Sequence, residues 1–313
     1  MSVLTLGLVC NTTVQQRGLA HAIEECGFKV GARLVPGQFL HGAEGGLKWH
    51  EQSAIDAWVV DVDADASNPE FDQWLELLDT PVILGDGEPP AIGSPDYSIW
   101  FERLSKQFIQ MAGAISLDRG SDSVAENVCV IAASTGGPAA VKLFFDCLPA
   151  GLKTGFIYVQ HIDVNHDDVL VKMMSQHSHY PAYIAAHGQT IRQGQVAVLS
   201  PAEGVSVLDN GTFCHLPDAS WPGPFAPSID CVVANVSQVF GVRAGAIIFT
   251  GMGEDGLVAC RLMEQRGGFV WAQSLDSCVV ESMPAAIMKA DLASFSGTPE
   301  GLAKQFERQY GHG

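Results

Sequence analysis

Three residues of the types that nucleophilic catalysis uses each follow a predicted strand: Ser134, His161 and Asp255. Because the carboxyl ends of the strands in a doubly wound sheet meet at one edge, residues this far apart in sequence can meet there. A serine can act as nucleophile, a histidine as general base, and an aspartate as the group that orients the histidine. The strands before them are predicted at Val128–Ala133, Gly155–Gln160 and Ala246–Thr250.

Ser134 begins the segment Ser134-Thr-Gly-Gly-Pro138, between a strand and a helix. Two glycines suit a sharp turn, and proline suits the first turn of a helix. Free N–H groups at such a helix start bind negative charge, as an oxyanion site must. The alternative is that the Ser-Thr pair only caps the helix, and that backbone groups satisfy His161 at its strand end. Each residue by itself leaves both interpretations open.

The chain order of these residues is Ser…His…Asp, whereas α/β-hydrolases have the order Ser…Asp…His. The sequence also lacks the G-x-S-x-G motif of those enzymes. The α/β-hydrolase fold is therefore excluded.

A competing motif overlaps Asp255. Gly251-Met-Gly-Glu-Asp-Gly256 has the G-x-G-x-x-G spacing of dinucleotide-binding turns, and Asp276 follows the next strand. However, Glu254 and Asp255 would place two negative charges where a pyrophosphate has to bind. The residues after Gly256 are also too few to complete a two-half sheet. We therefore expect no nucleotide cofactor.

The second half of the chain predicts a doubly wound, mainly parallel α/β sheet, because strands and helices alternate from Val128 onward. The strand-rich section Tyr183–Leu216, with a turn at Asn210-Gly211, predicts an inserted β-hairpin. The helices are predicted at Pro138–Cys147, Asp167–Gln176, Ser228–Phe240, a segment ending at Gln265, and Ala285–Lys289, with a further strand at Phe269–Gln273.

The alternation of short strands and helices in residues 1–115 predicts a separate flavodoxin-like α/β domain with five short strands. Gly87-Glu-Pro-Pro90 and Gly93-Ser-Pro95 are interpreted as loops, and the polar segment 116–127 as a linker to a second domain at 128–313. Four strands are predicted at Leu4–Val9, Lys29–Val35, Ala57–Val62 and Pro81–Leu84, and helices at Val14–Cys26, Glu70–Leu78 and Ile99–Ala114.

This first half resembles a response-regulator receiver domain. The segment Asp56-Ala-Trp-Val-Val-Asp61 places Asp61 at the family's phosphoacceptor position. The acidic pair that holds magnesium is replaced by Cys10-Asn11, the hydroxyl by Gly85 or Asp86, and the lysine by Trp100. Without these partners nothing neutralises an incoming phosphoryl group, so we expect Asp61 to be inactive as a phosphoacceptor.

Composition excludes several classes of protein. The chain of 313 residues is 47% hydrophobic and 17% charged, which indicates a globular fold. A net charge of −18 argues against nucleic acid or an anionic membrane as the main partner. No apolar run is long enough to cross a membrane, and no C-x-x-C motif is present. We therefore expect no membrane insertion, no disulfides and a reducing cytoplasm.

Five motifs follow one another in the second half of the chain: Ala133-Ser-Thr-Gly-Gly-Pro138, Val159-Gln-His161, Pro227-Ser-Ile-Asp230, Phe249-Thr-Gly-Met-Gly-Glu-Asp-Gly256, and Ala272-Gln-Ser with Ser277-Cys-Val-Val and Ser282-Met-Pro284. In this order they resemble CheB, the protein-glutamate methylesterase family of bacterial chemotaxis, over about residues 126–308. The segment after His161 and the segment Gly223-Pro-Phe-Ala226, where the family has basic residues, depart from the pattern.

The resemblance implies a serine carboxylesterase that demethylates γ-glutamyl methyl esters on the cytoplasmic helices of chemoreceptors. Ser134 corresponds to the nucleophile, His161 to the base and Asp255 to the orienting acid; no metal or cofactor is implied. Backbone groups near Thr135, Gly136 and Met252 would hold the oxyanion. Glutamine deamidation is a related activity of the family, and the N-terminal domain would dock other signalling proteins. The alternative is a regulatory receptor-binding protein with little turnover.

Overall fold

The chain divides into two compact units, Met1–Ser116 and Leu117–Gly313. The computed structural model describes residues 4–37, 55–63, 69–76, 78, 80–85, 87–114, 124–164, 166–176, 179–216 and 220–311. Residues 124 to 127, which the sequence assigns to the linker, pair with the second unit through a bridge between Val124 and Arg192. The earlier part of the predicted linker and Asp86 lie outside the described residues.

The first unit contains a parallel sheet with helices. Its elements are β1 (Thr5–Cys10), α1 (Thr13–Glu25), β2 (Lys29–Leu34), β3 (Ala57–Asp61), α2 (Pro69–Glu76), β4 (Val82–Leu84) and α3 (Pro95–Ala114). The strand order is β2-β1-β3-β4, which is the flavodoxin-like order without its fifth strand. Side chains of β1 and β3 are buried on both faces, as expected of a parallel sheet covered by helices.

Two details of the first unit differ from the sequence-based expectation. The fifth strand is not found among the described residues, and those described between β4 and α3 form a loop. This loop contains Pro89 and Pro90, and proline cannot donate a hydrogen bond to a strand ladder. Helix α3 begins at Pro95, four residues before Ile99, because Ser94 caps it by accepting a hydrogen bond from the Tyr97 N–H at 3.1 Å.

The second unit is built on a seven-stranded sheet. Its strands are β5 (Asn127–Ala133), β6 (Thr154–Gln160), β7 (Ala182–Ile184), β8 (Val196–Val198), β11 (Ala244–Ile248), β12 (Phe269–Gln273) and β13 (Phe295–Gly297). They lie in the order β13-β12-β11-β5-β6-β8-β7, and all the strand pairs are parallel. The chain winds in one direction from β5 to β7 and in the other from β11 to β13, so a topological switch point lies between β5 and β11.

Helices cover both faces of this sheet, which confirms the doubly wound prediction. Alternate residues of β5 serve two separate cores: Val128, Val130 and Ala132 face one, and Cys129 and Ile131 face the other. The helices are α4 (Gly137–Cys147), α5 (Asp167–Ser175), α6 (Ile229–Phe240), α7 (Leu257–Gln265), α8 (Ser282–Lys289) and α9 (Pro299–Tyr310).

The predicted hairpin forms a separate two-stranded antiparallel sheet from β9 (Val205–Val207) and β10 (Phe213–His215). Gly211 adopts φ 81° in the turn, a conformation that glycine reaches without steric cost. The Asn210 side chain accepts a hydrogen bond from the Thr212 N–H at 3.1 Å and closes the turn.

The sequence analysis did not find β13 and α9. Thr298 caps α9 by accepting a hydrogen bond from the Gly301 N–H, and Pro299 stands at its first position. Phe306 on this helix packs in the core with ring centroids 6.1 Å from Phe144 and 5.4 Å from Phe156. Edge-to-face and tilted aromatic pairs contribute about 0.5–1.5 kcal/mol each beyond area burial. The final helix is therefore part of the core.

Among the described residues, no helix is long and apolar enough to cross a membrane.

Candidate active site

Ser134 lies in a tight turn between β5 and α4, at the topological switch point. The Gly137 N–H donates to the Ser134 carbonyl at 2.9 Å, and Gly136 adopts φ 80° as the residue before the helix. A Cβ on Gly136 would lie 2.6 Å from the Val279 Cβ, and one on Gly137 would lie 2.4 Å from the Gln160 Oε1. Gly136 is therefore required by its backbone conformation and by the close contact, and Gly137 is required by the close contact alone.

Two buried polar side chains that the sequence analysis missed hold this turn from behind. Gln160 accepts a hydrogen bond from the Tyr158 hydroxyl at 2.7 Å and donates one to the Ser134 carbonyl at 2.8 Å. Thr250 donates its hydroxyl to the Thr135 carbonyl at 3.0 Å, and its own carbonyl accepts from the Ser134 N–H at 3.1 Å. The signal that the sequence offers for these two residues is that each is a polar residue at the end of a strand next to β5.

His161 follows β6, the strand beside β5, and its N–H donates to the Ala133 carbonyl at 3.1 Å. Its imidazole Nε2 lies 2.9 Å from the Asp255 Oδ2, and the two side chains are 14% and 3% exposed. Two of the three predicted residues thus form a direct, nearly buried hydrogen bond across 94 positions of sequence. Burial strengthens such a bond because water is kept from competing for it.

Asp255 is fixed by two further hydrogen bonds. The N–H groups of Ile229 and Asp230, in the first turn of α6, donate to its carboxylate at 2.8 and 3.0 Å. Burial raises the pKa of Asp255, but the hydrogen bond with His161 and the two N–H donors outweigh burial and hold the pKa below its ordinary value. The carboxylate is therefore ionised at neutral pH and ready to orient an imidazole.

Ser134 stands one residue past Ala133, and Ala133 pairs with the residue before His161. The hydrogen bonds of the described residues include none between the Ser134 hydroxyl and His161. With Nε2 engaged by Asp255, the nitrogen left for a serine hydroxyl is Nδ1. Catalytic hydrogen bonds are often long in an enzyme without substrate and shorten in the complex.

Three N–H groups near Ser134 donate to no acceptor within the described part of the chain: those of Thr135, Gly136 and Met252. Thr135 and Gly136 precede the first residue of α4, where the helix dipole also favours negative charge. Met252 is exposed, in the loop after β11. These are the groups that the sequence analysis assigns to an oxyanion site.

A further aromatic residue contacts the site. The ring of Phe225 lies parallel to the His161 imidazole, with centroids 4.9 Å apart and an interplanar angle of 5°. Phe225 belongs to the segment 223–226, where the sequence departs from the basic residues of the resembled family.

The start of α7, after the Gly251–Gly256 segment, does not suit the pyrophosphate of a dinucleotide, because a carboxylate of this chain already binds there. The Asp230 carboxylate accepts a hydrogen bond from the Ala259 N–H at 2.8 Å. Burial, and to a lesser extent the nearby charge of Asp255, raises the pKa of Asp230. A second anion at this helix start would meet the negative charge that already occupies it.

In the first unit, Asp61 lies at the end of β3 and is buried. Its Oδ1 accepts a hydrogen bond from the Gly87 N–H at 3.1 Å, and a Cβ on Gly85 would lie 2.5 Å from the Asp61 Cβ. Burial, with a smaller contribution from Asp61, raises the pKa of the Cys10 thiol to about 12, so this thiol is protonated at neutral pH.

The position expected to hold a lysine is Trp100, which is buried with its ring 5.5 Å from that of Tyr97. Within the ranges that the structure describes, no group of three or more histidine, cysteine, aspartate or glutamate side chains is arranged to hold a metal ion.

Residues 129–306 match the model of the family described as CheB methylesterase. The chain is 34% identical over 162 residues to protein-glutamate methylesterase/protein-glutamine glutaminase 1 of Saccharophagus degradans, covering 52% of this chain and 44% of that protein. It is 34% identical over 176 residues to a protein of the same name, numbered 3, from Anaeromyxobacter dehalogenans, covering 56% and 52%. The chain thus spans about half the length of these relatives.

The second unit also resembles a solved structure, the crystal structure of the Thermotoga maritima CheB methylesterase catalytic domain. The TM-score is 0.55 at 23% sequence identity, and the match covers 58% of this chain and 98% of the other. At this identity the likeness shows the fold. It confirms the α/β architecture predicted from the sequence.

Proposed function

Because the chain belongs to the CheB methylesterase family, we propose that it is a serine carboxylesterase that hydrolyses γ-glutamyl methyl esters on chemoreceptors. The observation that carries the proposal is the hydrogen bond of 2.9 Å between His161 and Asp255, formed at the sheet edge where the Ser134 turn lies. An ionised aspartate holding a histidine beside a serine is the arrangement that makes a hydroxyl nucleophilic.

In the proposed reaction, the Ser134 hydroxyl attacks the ester carbonyl carbon while the Nδ1 of His161 takes its proton. The imidazolium that forms is stabilised by Asp255, and the N–H groups of Thr135, Gly136 and Met252 stabilise the negative oxygen. Collapse of this intermediate transfers the proton to the leaving methoxide and releases methanol. A water molecule, activated by the same imidazole, then hydrolyses the acyl-enzyme to glutamate and free Ser134.

The proposed partner is the cytoplasmic helical region of a methyl-accepting chemoreceptor, and the proposed place of action is the cytoplasm. The eight cysteines are all free thiols, which suits a reducing compartment. Relatives whose names include protein-glutamine glutaminase make deamidation of a glutamine side chain a second proposed activity. It would use the same nucleophile, with ammonia as the leaving group.

A second candidate function is a receptor-binding protein with little turnover. It is favoured by one observation, the absence of a hydrogen bond between the Ser134 hydroxyl and His161 within the described residues. A fluorophosphonate probe distinguishes the two, because it labels a serine only when a base activates it. The esterase proposal expects Ser134 to be labelled in the folded protein.

The direct test is methanol release from a methylated receptor fragment, measured with the wild type and with Ser134→Ala. Ser105→Ala in α3, where the hydroxyl donates a solvent-exposed hydrogen bond to the Glu102 carbonyl, serves as a matched control for loss of a serine hydroxyl. The proposal expects methanol from the wild type and from the control but not from Ser134→Ala. Equal release by all three proteins would contradict it.

A further inference from the structure

The His161 imidazole is held by two contacts of different kinds. In its plane, Nε2 is bonded to Asp255 at 2.9 Å. Across one face lies the Phe225 ring, parallel to within 5° and 4.9 Å away between centroids. The hydrogen bond fixes one atom of the imidazole but still permits the ring to rock about that atom, whereas a parallel ring restricts the plane itself.

One short segment positions both His161 and Asp255. Ser228, three residues after Phe225, caps α6 by accepting a hydrogen bond from the Cys231 N–H at 3.3 Å. The next two N–H groups, of Ile229 and Asp230, hold the Asp255 carboxylate. Phe225 thus lies three residues before the helix start that holds the Asp255 carboxylate.

We propose that Phe225 is a positioning residue for the esterase reaction, which keeps the His161 ring in the plane where Asp255 binds Nε2 and Nδ1 remains free for Ser134. This inference rests on the proposed function. The ring also suits the charge that the reaction creates, because the face of an aromatic ring attracts a cation and His161 becomes an imidazolium in the transition state.

The exposure of Phe225 shows that packing alone does not explain its place. The side chain is 38% exposed, so one face covers the histidine while part of the ring remains open to solvent. Phe225 is thus a flat side chain at the rim of the site that stacks on the imidazole.

The test compares Phe225→Leu and Phe225→Met, which keep an apolar side chain without a planar ring, with Phe225→Tyr, which keeps the ring. Two rates are measured: labelling of Ser134 by a small fluorophosphonate, and kcat and KM for methanol release from a methylated receptor fragment. Because small misplacements of a catalytic group cost large factors in rate, we expect Leu and Met to lower both the labelling rate and kcat about tenfold. Tyr should retain wild-type rates, and KM should change less than about twofold.

A spectroscopic measurement separates positioning from folding. In the wild type and Phe225→Tyr, the ring current of the stacked side chain should shift the His161 C–H proton resonances upfield, and the shift should be lost in Leu and Met. The assignment follows from the resonances that disappear in His161→Ala.

Three results would overturn the proposal. These are unchanged labelling and kcat in the Leu and Met variants, a rise in KM alone, or a loss in Phe225→Tyr as large as that in Phe225→Leu. Failure of the proposed function is recognised separately, since in that case Ser134 of the wild type would not be labelled. That result would remove the basis of the inference as well.

Discussion

Asp255 and Asp230 lie at the starts of two different helices, and the carboxylate of each accepts hydrogen bonds from backbone N–H groups at the start of the other helix. Asp255 precedes α7, yet its carboxylate accepts hydrogen bonds from two N–H groups at the start of α6. Asp230 stands in the first turn of α6, yet its carboxylate accepts from the Ala259 N–H at the start of α7. The two helix starts are thereby tied together, and the acid proposed for catalysis is fixed by backbone donors as well as by His161.

This arrangement predicts which mutations in the proposed triad reduce the esterase activity most. Ser134→Ala and His161→Ala should each remove nearly all esterase activity, by roughly a thousandfold or more, because they delete the nucleophile or the base. Asp255→Asn should leave a larger remainder, since the amide oxygen can still accept from one of the two helix N–H groups but the side chain no longer stabilises the imidazolium. Methanol release measures all three. A folded Ser134→Ala protein that keeps more than a few per cent of wild-type turnover would exclude the triad.

Asp255 should also make stability fall in acid. Its pKa is held below the ordinary value by the hydrogen bonds that outweigh burial. Such a group contributes stability that is complete above the unfolded pKa, about 3.9, and is lost as pH falls through the lower folded pKa. The difference in unfolding free energy between wild type and Asp255→Asn should therefore be present at neutral pH and shrink below about pH 4. Urea unfolding at several pH values measures it.

Asp230→Asn is the matched comparison for this pH dependence. The pKa of Asp230 is raised, first by burial and then by the charge of Asp255, so the folded state binds its proton more readily than the unfolded state. The contribution of Asp230 is therefore present below the unfolded pKa and lost as pH rises. Relative to Asp230→Asn, the wild type should gain stability as pH falls, the reverse of the Asp255 result. The same trend in both variants would show that the two carboxyls do not differ as described.

The Ser134 turn should tolerate no side chain at Gly136. Gly136→Ala would hold an L-residue at φ 80°, which costs about 1–2 kcal/mol, and would bring its Cβ to 2.6 Å from the Val279 Cβ. Gly151→Ala separates the two effects, because Gly151 has φ 88° and a Cβ added there would meet no atom within 4 Å. We expect Gly136→Ala to lose more stability than Gly151→Ala, and to lose activity as well. Equal losses in unfolding free energy and unchanged turnover would contradict this account.

A phosphodonor or a phosphoryl analogue should leave the esterase activity unchanged. Asp61 is buried, accepts a hydrogen bond from the Gly87 N–H and lies against Gly85. The magnesium-binding acids of the receiver family are replaced here by Cys10-Asn11. Acetyl phosphate, or beryllofluoride with magnesium, should therefore not change methanol release, and Asp61→Asn should match wild type. Asp63→Asn, an exposed acid two residues away, is the control. Activation of several fold that disappears in Asp61→Asn but not in Asp63→Asn would show a working receiver.

The sequence predicts the strands and turns that carry Ser134, His161 and Asp255 because the signals are local. Apolar β-branched runs mark the strands, and glycine and proline mark the turns after them. Ser94-Pro95 and Thr298-Pro299 are equally good helix starts. The first was interpreted as loop because glycines and prolines surround it, and the second was missed, so α3 was placed too late and α9 was not found.

The residues that support the site were not predicted because their roles depend on contacts between distant segments. Phe225 meets His161, and Thr250 meets Thr135 across 115 positions of sequence. Neither residue type is unusual in its local context, and although its place at a strand end marks Thr250 as a candidate, periodicity and motif spacing do not show which residue either side chain contacts. Only the assembled sheet edge brings them to the site.

The strand order has a consequence for how the protein is made. The strand that leads to Ser134, β5, can pair with β6 as soon as that strand is synthesised, but its other neighbour, β11, begins at Ala244. Until then one edge of β5 has no ladder partner, and Thr250 and Asp255 have not yet left the ribosome. Pairing across so many residues is slow, and an open strand edge invites association with other chains. A nascent chain would thus carry Ser134, the proposed nucleophile, long before the residues proposed to act with it, and the proposed esterase activity would arise only once β11 and the loop after it had been added.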